Sequence, residues 1–346
     1  MSKVSENIYN LIEFDNYSLT PKYLQLANAI SKSIEDNKIE EGYILPSINN
    51  LGYELDVSRN TVEKAYKHLK DKGYINGVSG KGYFVHNINT TEQVKVFLIF
   101  NKLSVHKKII YDAFAKALGP NVIIDFYIYN NDFSLFKKLL ARKKTDYSYY
   151  VVIPHFMDEA ENVHEVINRH IPAGKLILMS LLLQGINGKY GAIYEDFGHN
   201  IYRSLSEALE RLKKYNKLNI IFPEYTYHPE AIINGFIHFC QDYAFDYDII
   251  RNIKDEDICS GSVYISLMED DLVTLIKKTL ETNLAVGKDT GIISYNETPI
   301  KQFILNGITT ISADFKLMGE KAAGMILNKN LDYFSVPFYL TLRDSL

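Results

Sequence analysis

The spacing of apolar residues along the chain changes near residue 90. Before it, apolar residues recur mainly at helical spacing, and a short break at Leu55-Asp56-Val57 separates two amphipathic segments. Ser58 follows this break and is suited to cap the second segment. Four apolar residues of that segment fall at positions i, i+3, i+4 and i+7: Val62, Ala65, Tyr66 and Leu69. The pattern predicts a helix-turn-helix whose second helix buries one stripe.

Polar and basic residues lie on the other side of this predicted helix. Arginine can contact guanine through two hydrogen bonds, asparagine can contact adenine, and the threonine methyl group can contact thymine. Lysines beside them suit backbone phosphates. The predicted DNA contacts of the helix-turn-helix, including the turn that precedes it, are Ser47, Asn49, Ser58, Arg59, Asn60, Thr61, Lys64 and Lys67.

A predicted β-hairpin follows the second helix. Tyr74-Ile75 and Tyr83-Phe84-Val85 flank a turn that contributes Gly80, Lys81 and Gly82 to the predicted DNA contacts. From residue 58 to 86 six basic residues stand against two acidic ones, although the whole chain has a formal net charge of -4. This local charge favours a directed DNA-reading surface over general polyanion binding. A winged helix used only for protein contacts is the structural alternative.

From Val94 onward, short apolar runs alternate repeatedly with helical segments, beginning with the strand pattern VKVFLIF. This alternation predicts a doubly wound α/β region, and its length allows two sheets with a cleft between them. We therefore predict a winged helix-turn-helix domain at residues 1–86, a polar linker at 87–93, and a ligand-binding and dimerisation domain at 94–346.

Composition narrows the possible classes of protein. The chain has 346 residues, of which 47% are hydrophobic, so two cores are possible. Two cysteines, Cys240 and Cys259, supply neither a disulfide framework nor a zinc ligand set. The N-terminus lacks a signal-peptide pattern, and the longest apolar run, near Leu176 to Leu183, is too short to span a bilayer. These features predict a soluble, cytoplasmic protein without a metal or other cofactor.

The N-terminal motifs resemble the GntR family of bacterial transcription regulators over roughly residues 20 to 86. The matching blocks are the first helix from Pro21, Leu45-Pro46-Ser47, the run from Val57 to Val62, and the run from Gly80 to Val85. The resemblance implies a sequence-specific DNA-binding regulator. Two positions depart from the family pattern, because Asn49 and Glu63 stand where the family commonly has basic residues.

The C-terminal half resembles, more loosely, the periplasmic-binding-protein-like effector domain of LacI-type repressors. Segment order carries this resemblance, above all Gly307-Ile308-Thr309-Thr310-Ile311 followed by the helix from Met318. A GntR head joined to such a domain resembles regulators of arabinose or fucose catabolism. Ile232, Glu269 and Asn296 replace the arginine, asparagine and aspartate usual at ligand-facing positions.

Ligands of doubly wound sheets bind at strand carboxyl ends, and the turns there carry acceptors and aromatic rings suited to hydroxyl groups and sugar faces. The acidic turns favour a neutral ligand. The predicted ligand contacts are Asn101, His155, Phe156, Tyr225, His228, Glu269, Asp270, Tyr295, Asn296 and Glu297.

The sequence as a whole predicts a homodimeric repressor of sugar catabolism. It would bind a pseudo-palindromic DNA operator and respond to a monosaccharide of the fucose or arabinose class. No catalytic motif is recognisable, so we expect no enzyme activity. Two alternatives remain: a regulator that responds to a phosphosugar or a nucleobase-type ligand, and a winged-helix head fused to an enzyme domain.

Overall fold

The computed structural model describes residues 7–78, 82–86, 94–142, 147–157, 160 and 162–346. These residues form two compact units. The first unit contains the described residues up to 98 together with residues 120–128 and 147–148, and the second contains the remaining residues.

Three helices and a two-stranded sheet build most of the first unit. Helix α3 buries the predicted stripe, since Val62, Ala65, Tyr66 and Leu69 are each at most 1% exposed. Strands β1 and β2 pair in antiparallel register, with Ile75 opposite Val85. This arrangement confirms the predicted winged helix-turn-helix. Its elements are α1 (Lys22–Glu35), α2 (Ile48–Glu54), α3 (Arg59–Asp71), β1 (Ile75–Val78) and β2 (Gly82–Val85).

The first unit also contains part of the effector sheet. The residues just before α1 run along strand β4 (Ile123–Ile128), where Leu19 N donates to Phe126 O at 2.7 Å. Thr20 Oγ1 donates to Ile124 O at 3.3 Å and accepts from Phe126 N at 3.1 Å. The segment that leads into the first helix is therefore held by an edge strand of the α/β sheet.

The α/β region has two six-stranded sheets among the described residues. One has the order β13-β7-β6-β5-β3-β4 and the other has the order β14-β12-β11-β10-β8-β9. The first sheet's further strands are β3 (Lys95–Phe100), β5 (Tyr149–Val152), β6 (Leu176–Ser180), β7 (Gly191–Tyr194) and β13 (Tyr333–Ser335). The second sheet consists of β8 (Lys217–Ile221), β9 (Asp246–Ile250), β10 (Ser262–Ser266), β11 (Thr290–Tyr295), β12 (Thr309–Ala313) and β14 (Phe338–Thr341).

Helices connect these strands, as the alternating pattern predicts. They are α4 (Val105–Leu118), α5 (Phe133–Ala141), α6 (Val163–His170), α7 (Phe197–Glu207), α8 (Leu209–Leu212), α9 (Ala231–Asp242), α10 (Glu269–Leu280) and α11 (Phe315–Leu327). The predicted α/β class with two doubly wound subdomains is confirmed. Strand β14 departs from the parallel pattern, because it pairs antiparallel with β12 at the sheet edge.

Glycine permits the close approach of two helices in the second unit. A Cβ added at Gly235 of α9 would lie 2.1 Å from Gly198 O of α7. The Gly-Phe pair at 235 and 236 therefore marks a helix contact, with Phe236 fully buried beside it. Among the described residues, no helix is long and apolar enough to cross a membrane.

Candidate functional site

The first turn of α3 presents a capped, exposed polar surface. Ser58 Oγ accepts a hydrogen bond from Thr61 N at 3.2 Å and lies 2.8 Å from Thr61 Oγ1. Ser47 caps α2 in the same way, accepting from Asn50 N at 3.2 Å. Both caps satisfy backbone N–H groups that would otherwise lack a partner at the helix start. The two helices therefore begin at defined residues.

Several predicted DNA contacts lie together on this surface. Arg59, Asn60, Lys64 and Lys67 are exposed, and Thr61 is half-buried. Arg59 bridges the two helices, because its Nη1 donates to Asn49 Oδ1 at 3.5 Å. Its Nε donates to Glu63 Oε1 at 2.8 Å, so an acidic residue neutralises part of the charge at the surface.

A buried tyrosine connects the middle of α3 to the turn before α2 and to the hairpin. Tyr66 OH donates to Pro46 O at 2.8 Å, and the Tyr66 ring packs edge-on against Tyr83 of the hairpin at 4.9 Å between centroids. Helix, turn and hairpin are thus joined through one buried side chain. At the hairpin tip Gly82 has φ +87°, while Gly80 and Lys81 lie outside the described residues.

A second polar site lies in the other unit, at the carboxyl ends of strands from both sheets. Asn101 follows β3, His155 follows β5, Ser180 ends β6 and Glu195 follows β7. Tyr295 ends β11 of the other sheet, as is typical for ligand clefts in doubly wound folds. Contacts join the two sides, since His155 Nδ1 lies 3.3 Å from Tyr227 O and Lys102 Nζ lies 4.2 Å from the centre of the Tyr227 ring.

Ser180 is the centre of a buried hydrogen-bonded chain on one side of this cleft. Its Oγ donates to Glu195 Oε1 at 2.5 Å and lies 2.9 Å from His155 Nε2. Ser180 also has φ +73°, a conformation that costs a non-glycine residue about 1–3 kcal/mol and is concentrated at functional sites. In a nucleophilic triad the histidine lies between serine and carboxylate, whereas here the serine lies between the other two. The arrangement suits orientation of polar groups, not activation of a serine nucleophile.

Three polar side-chain atoms of the cleft are buried and have no hydrogen-bond partner among the described residues: Asn101 Oδ1, His228 Nε2 and Tyr295 OH. Buried polar groups in folded proteins are nearly always paired. All three belong to predicted ligand contacts. Unsatisfied polar atoms at strand carboxyl ends are suited to a polar ligand.

The acidic residues predicted to contact ligand already have partners. Glu269 forms an ion pair with the buried Lys301 at 2.9 Å, and Glu297 forms one with Arg343 at 2.8 Å. Glu297 also accepts from Thr310 Oγ1 at 2.5 Å. Asp270 is exposed beside Glu269, in the first turn of α10. The acidic character of these turns is therefore largely compensated within the protein.

The remaining predicted ligand contacts have differing environments. Phe156 packs in an aromatic group with Tyr129, Phe133 and Phe136, at centroid distances of 5.1 to 5.3 Å. Tyr225 is 78% exposed. Asn296 is buried, with φ +65°, and its carbonyl accepts from Lys301 Nζ at 2.6 Å. The backbone carbonyl of Asn296 thus binds the Lys301 ammonium group.

The sequence prediction did not include Lys102, Lys107, Ser180, Glu195 and Tyr227. Lys102 directly follows Asn101 at a strand end, so strand position alone would have pointed to it. Lys107 offered no such signal, because it sits beside Lys108 in an ordinary amphipathic helix. Its burial, with only 6% of the residue exposed, is a consequence of tertiary packing.

Comparison with known proteins places the first unit in a family. The sequence pattern described as "Bacterial regulatory proteins, gntR family" matches residues 22–85. The HTH-type transcriptional repressor YtrA of Bacillus subtilis is 30% identical over 98 residues, which cover 28% of this chain and 72% of YtrA. The chain belongs to the gntR family of bacterial regulatory proteins.

Another relative of this GntR-family chain extends the similarity beyond the helix-turn-helix. The uncharacterized HTH-type transcriptional regulator YdeL of Bacillus subtilis is 26% identical over 221 residues, covering 58% of this chain and 44% of YdeL. The chain thus spans less than half the length of that relative.

Among solved structures, a LacI family transcriptional regulator from Enterococcus faecalis V583 with bound ribose is similar in fold. Its TM-score is 0.58 at 15% identity, covering 72% of this chain and 98% of the other. The similarity confirms the predicted LacI-type architecture of the α/β region.

Proposed function

We propose that this GntR-family chain is a repressor that reads an operator through α3 and is released by a small ligand bound in the cleft. The observation that carries the DNA-reading part is the exposed, capped first turn of α3, where Arg59, Asn60 and Thr61 project from a helix buried on its other side. Residues 1–86 then form the DNA-reading domain, and residues 94–346 form the effector and dimerisation domain.

The polar cleft supports a sugar as the effector. Asn101, His228 and Tyr295 supply unpartnered polar atoms, and the Tyr227 ring lies beside them as an apolar surface. Polar groups converging beside an aromatic ring are typical of saccharide sites. The sequence resemblance favours a monosaccharide of the fucose or arabinose class, and the ribose bound by the structural relative from Enterococcus faecalis supports that size of ligand.

Regulation requires that ligand and DNA favour different states of the protein. Two heads of a homodimer would contact half-sites one or more helical turns apart, so a change in their spacing would weaken binding. Coupling free energies of this kind are typically about 1–3 kcal/mol. Ligand is therefore expected to reduce operator affinity by roughly 5- to 150-fold.

Operator binding by the double variant Arg59→Ala, Thr61→Ala tests the proposal. The operator would first be selected from random DNA with the full-length protein, and binding then measured by fluorescence anisotropy. We expect the double variant to lose discrimination between the operator and unrelated DNA, because base contacts carry specificity. Residual salt-sensitive binding through phosphate contacts should remain.

Lys108→Ala is the matched control, since Lys108 is an exposed cation in the second unit that pairs with Asp112. It should leave operator binding unchanged. Full specificity in the double variant would overturn the assignment of α3. Failure to select any DNA sequence would overturn the proposed function as a whole.

A further inference from the structure

Two lysines and three histidines near the cleft interact electrostatically with one another. We call them the basic cluster: Lys102, His106, Lys107, His155 and His228. Lys107 is the most deeply placed cation among them. It is only 6% exposed, and its ammonium group forms no hydrogen bond or ion pair within 4.0 Å with the described residues. Buried charges in proteins are normally paired. Lys107 therefore lacks a close anionic partner among the described residues.

The members of the cluster affect each other's protonation. Burial lowers the pKa of Lys107, Glu195 opposes the decrease and Lys102 adds to it, and the result is a pKa of about 8. Burial lowers the pKa of His228 to about 3, and Lys102 and Lys107 contribute to that decrease. Burial and the same two lysines also lower the pKa of His106. Burial thus disfavours protonation of the imidazoles, which leaves the two lysines as the groups of the cluster that suit an anion.

The carboxylates near the cleft form no close ion pair with these two lysines among the described residues. Glu195 is the buried one, and burial raises its pKa while the Ser180 hydroxyl and Lys107 lower it. Its nearest partner is the Ser180 hydroxyl. Glu269 is occupied by Lys301, and more than half of its side chain is exposed. The ammonium groups of Lys102 and Lys107 therefore have no carboxylate within ion-pair distance among the described residues, although Asp270 and Glu269 raise the pKa of Lys102 and Glu195 raises that of Lys107.

An aromatic ring orients Lys102, which has no close anionic partner among the described residues. Its ammonium group lies 4.2 Å from the Tyr227 ring centre, and it forms no ion pair within 4.0 Å among the described residues. A ring contact orients the lysine without neutralising it. The Nε2 atom of His228, buried and unpartnered, belongs to the residue next to Tyr227. A charged donor and a neutral imidazole nitrogen are thus available at the same place.

We propose that the cleft binds a sugar derivative carrying an anionic group, a phosphate or a carboxylate, which Lys102 and Lys107 hold. The uncharged part of the ligand would use Asn101, His228 and Tyr295, whose polar atoms lack partners. This inference rests on the proposed function, because it assumes that the cleft is the effector site. It narrows the effector from a neutral monosaccharide to an anionic derivative.

Thermal unfolding of the full chain tests this proposal with matched compounds. The probes are glucose, galactose and arabinose, their terminal phosphates, the uronates of the two hexoses, and inorganic phosphate alone. We expect anionic members to raise Tm and the neutral sugars to have no effect at equal concentration. Stabilisation by phosphates but not uronates would assign the anionic group as a phosphoryl group, and the reverse pattern would assign it as a carboxylate.

The variant Lys107→Met and its neighbour variant Lys108→Met separate a binding role from a structural one. Lys107→Met should raise Tm in the absence of ligand, because a poorly compensated buried charge is removed. It should also abolish the response to anionic probes. Lys108 is exposed and pairs with Asp112, so Lys108→Met should respond as the wild type does. A fall in the ligand-free Tm of Lys107→Met would indicate a structural lysine and overturn the proposal.

Operator binding distinguishes failure of this inference from failure of the proposed function. A neutral sugar that raises Tm and releases the operator, with no effect of any anionic probe, would overturn the anionic ligand and leave the regulator intact. Equal stabilisation of wild type and Lys107→Met by anionic probes would show binding elsewhere on the protein and also overturn it. Specific operator release by an anionic probe, lost in Lys107→Met, is the expected result.

Discussion

Glu35 and Lys95 form an ion pair of 3.0 Å that joins the last residue of α1 to the first residue of β3. Both side chains are less than one-fifth exposed, and the other Glu35 carboxylate oxygen accepts from Tyr74 OH at 2.7 Å. One carboxylate therefore connects the helix, the start of the hairpin and the effector sheet. The same strand β3 leads directly to Asn101 and Lys102 at the cleft.

Glu35→Gln should weaken this connection. Hydrogen bonds to charged groups contribute more to stability than hydrogen bonds between neutral groups. The largely buried Lys95 would also lose its counterion. We therefore expect a loss of about 1–2 kcal/mol in the free energy of unfolding. Ligand should also affect operator binding less, since the head is less firmly held. Urea unfolding and operator titrations with and without ligand measure the two effects. Glu40→Gln, at an exposed position, is the control, and equal behaviour of the two variants would contradict the prediction.

Glu63→Gln should strengthen DNA binding. Glu63 holds the Arg59 guanidinium at 2.8 Å on the exposed first turns of α3, and its charge would repel phosphates. Surface ion pairs contribute little to stability, so the fold should be unaffected. We expect about 3- to 10-fold tighter binding at low salt, decreasing as salt rises.

Anisotropy titrations at several salt concentrations check this prediction, with Glu54→Gln as the control for a general change in charge. If both variants bind equally tightly, the effect is not specific to Arg59. Weaker binding by Glu63→Gln would indicate that Glu63 orients Arg59 for a base contact.

Two glycines in helices of the second unit should respond to alanine in opposite directions. A Cβ at Gly235 would lie 2.1 Å from Gly198 O and 2.6 Å from Ile201 Cγ2, so α7 and α9 would have to separate. We expect Gly235→Ala to cost at least about 1–3 kcal/mol. At Gly324 an added Cβ meets nothing within 4 Å, so Gly324→Ala should stabilise by about 0.4–1 kcal/mol. Thermal unfolding of both variants measures these changes. A rise in Tm for Gly235→Ala would contradict the close contact between α7 and α9.

Local periodicity explains which parts of the structure the sequence could predict. The buried stripe of α3 repeats within one helix, and the Ser58 cap depends only on neighbouring residues, so both follow from sequence. The burial of Lys107 depends on strands distant in sequence, and its neighbour Lys108 has the same side chain in the opposite environment. The pairing of Glu269 with Lys301 is equally non-local. For this reason the acidic turns favoured a neutral ligand in the sequence, whereas the folded protein also buries Lys107 without a close ion pair among the described residues.

The pH dependence of stability provides a test of the Lys107 environment that needs no ligand. The folded-state pKa of Lys107, about 8, lies below its ordinary value of 10.5, so the unfolded chain binds more protons between these values. Stability contributed by this residue should therefore rise with pH through that window. The groups that set its pKa besides burial are Glu195, which raises it, and Lys102, which lowers it. Below about pH 8, the folded protein bears the cost of a buried ammonium group.

Lys107→Met has no such titration, so the free energies of unfolding of the two proteins should converge as pH rises. We expect Lys107→Met to be the more stable protein at pH 7.5, with a smaller difference at pH 9.5. Denaturant unfolding at both values measures the change. Glu195 and the three histidines of the cluster shift with Lys107, whereas the remaining titrating groups cancel because both proteins contain them. A difference that is constant, or that grows with pH, would mean that Lys107 is paired in the folded state. Added sulfate, whose charge is fixed over this range, should stabilise the wild type more at pH 7.5 than at pH 9.5, since Lys107 attracts it only when protonated.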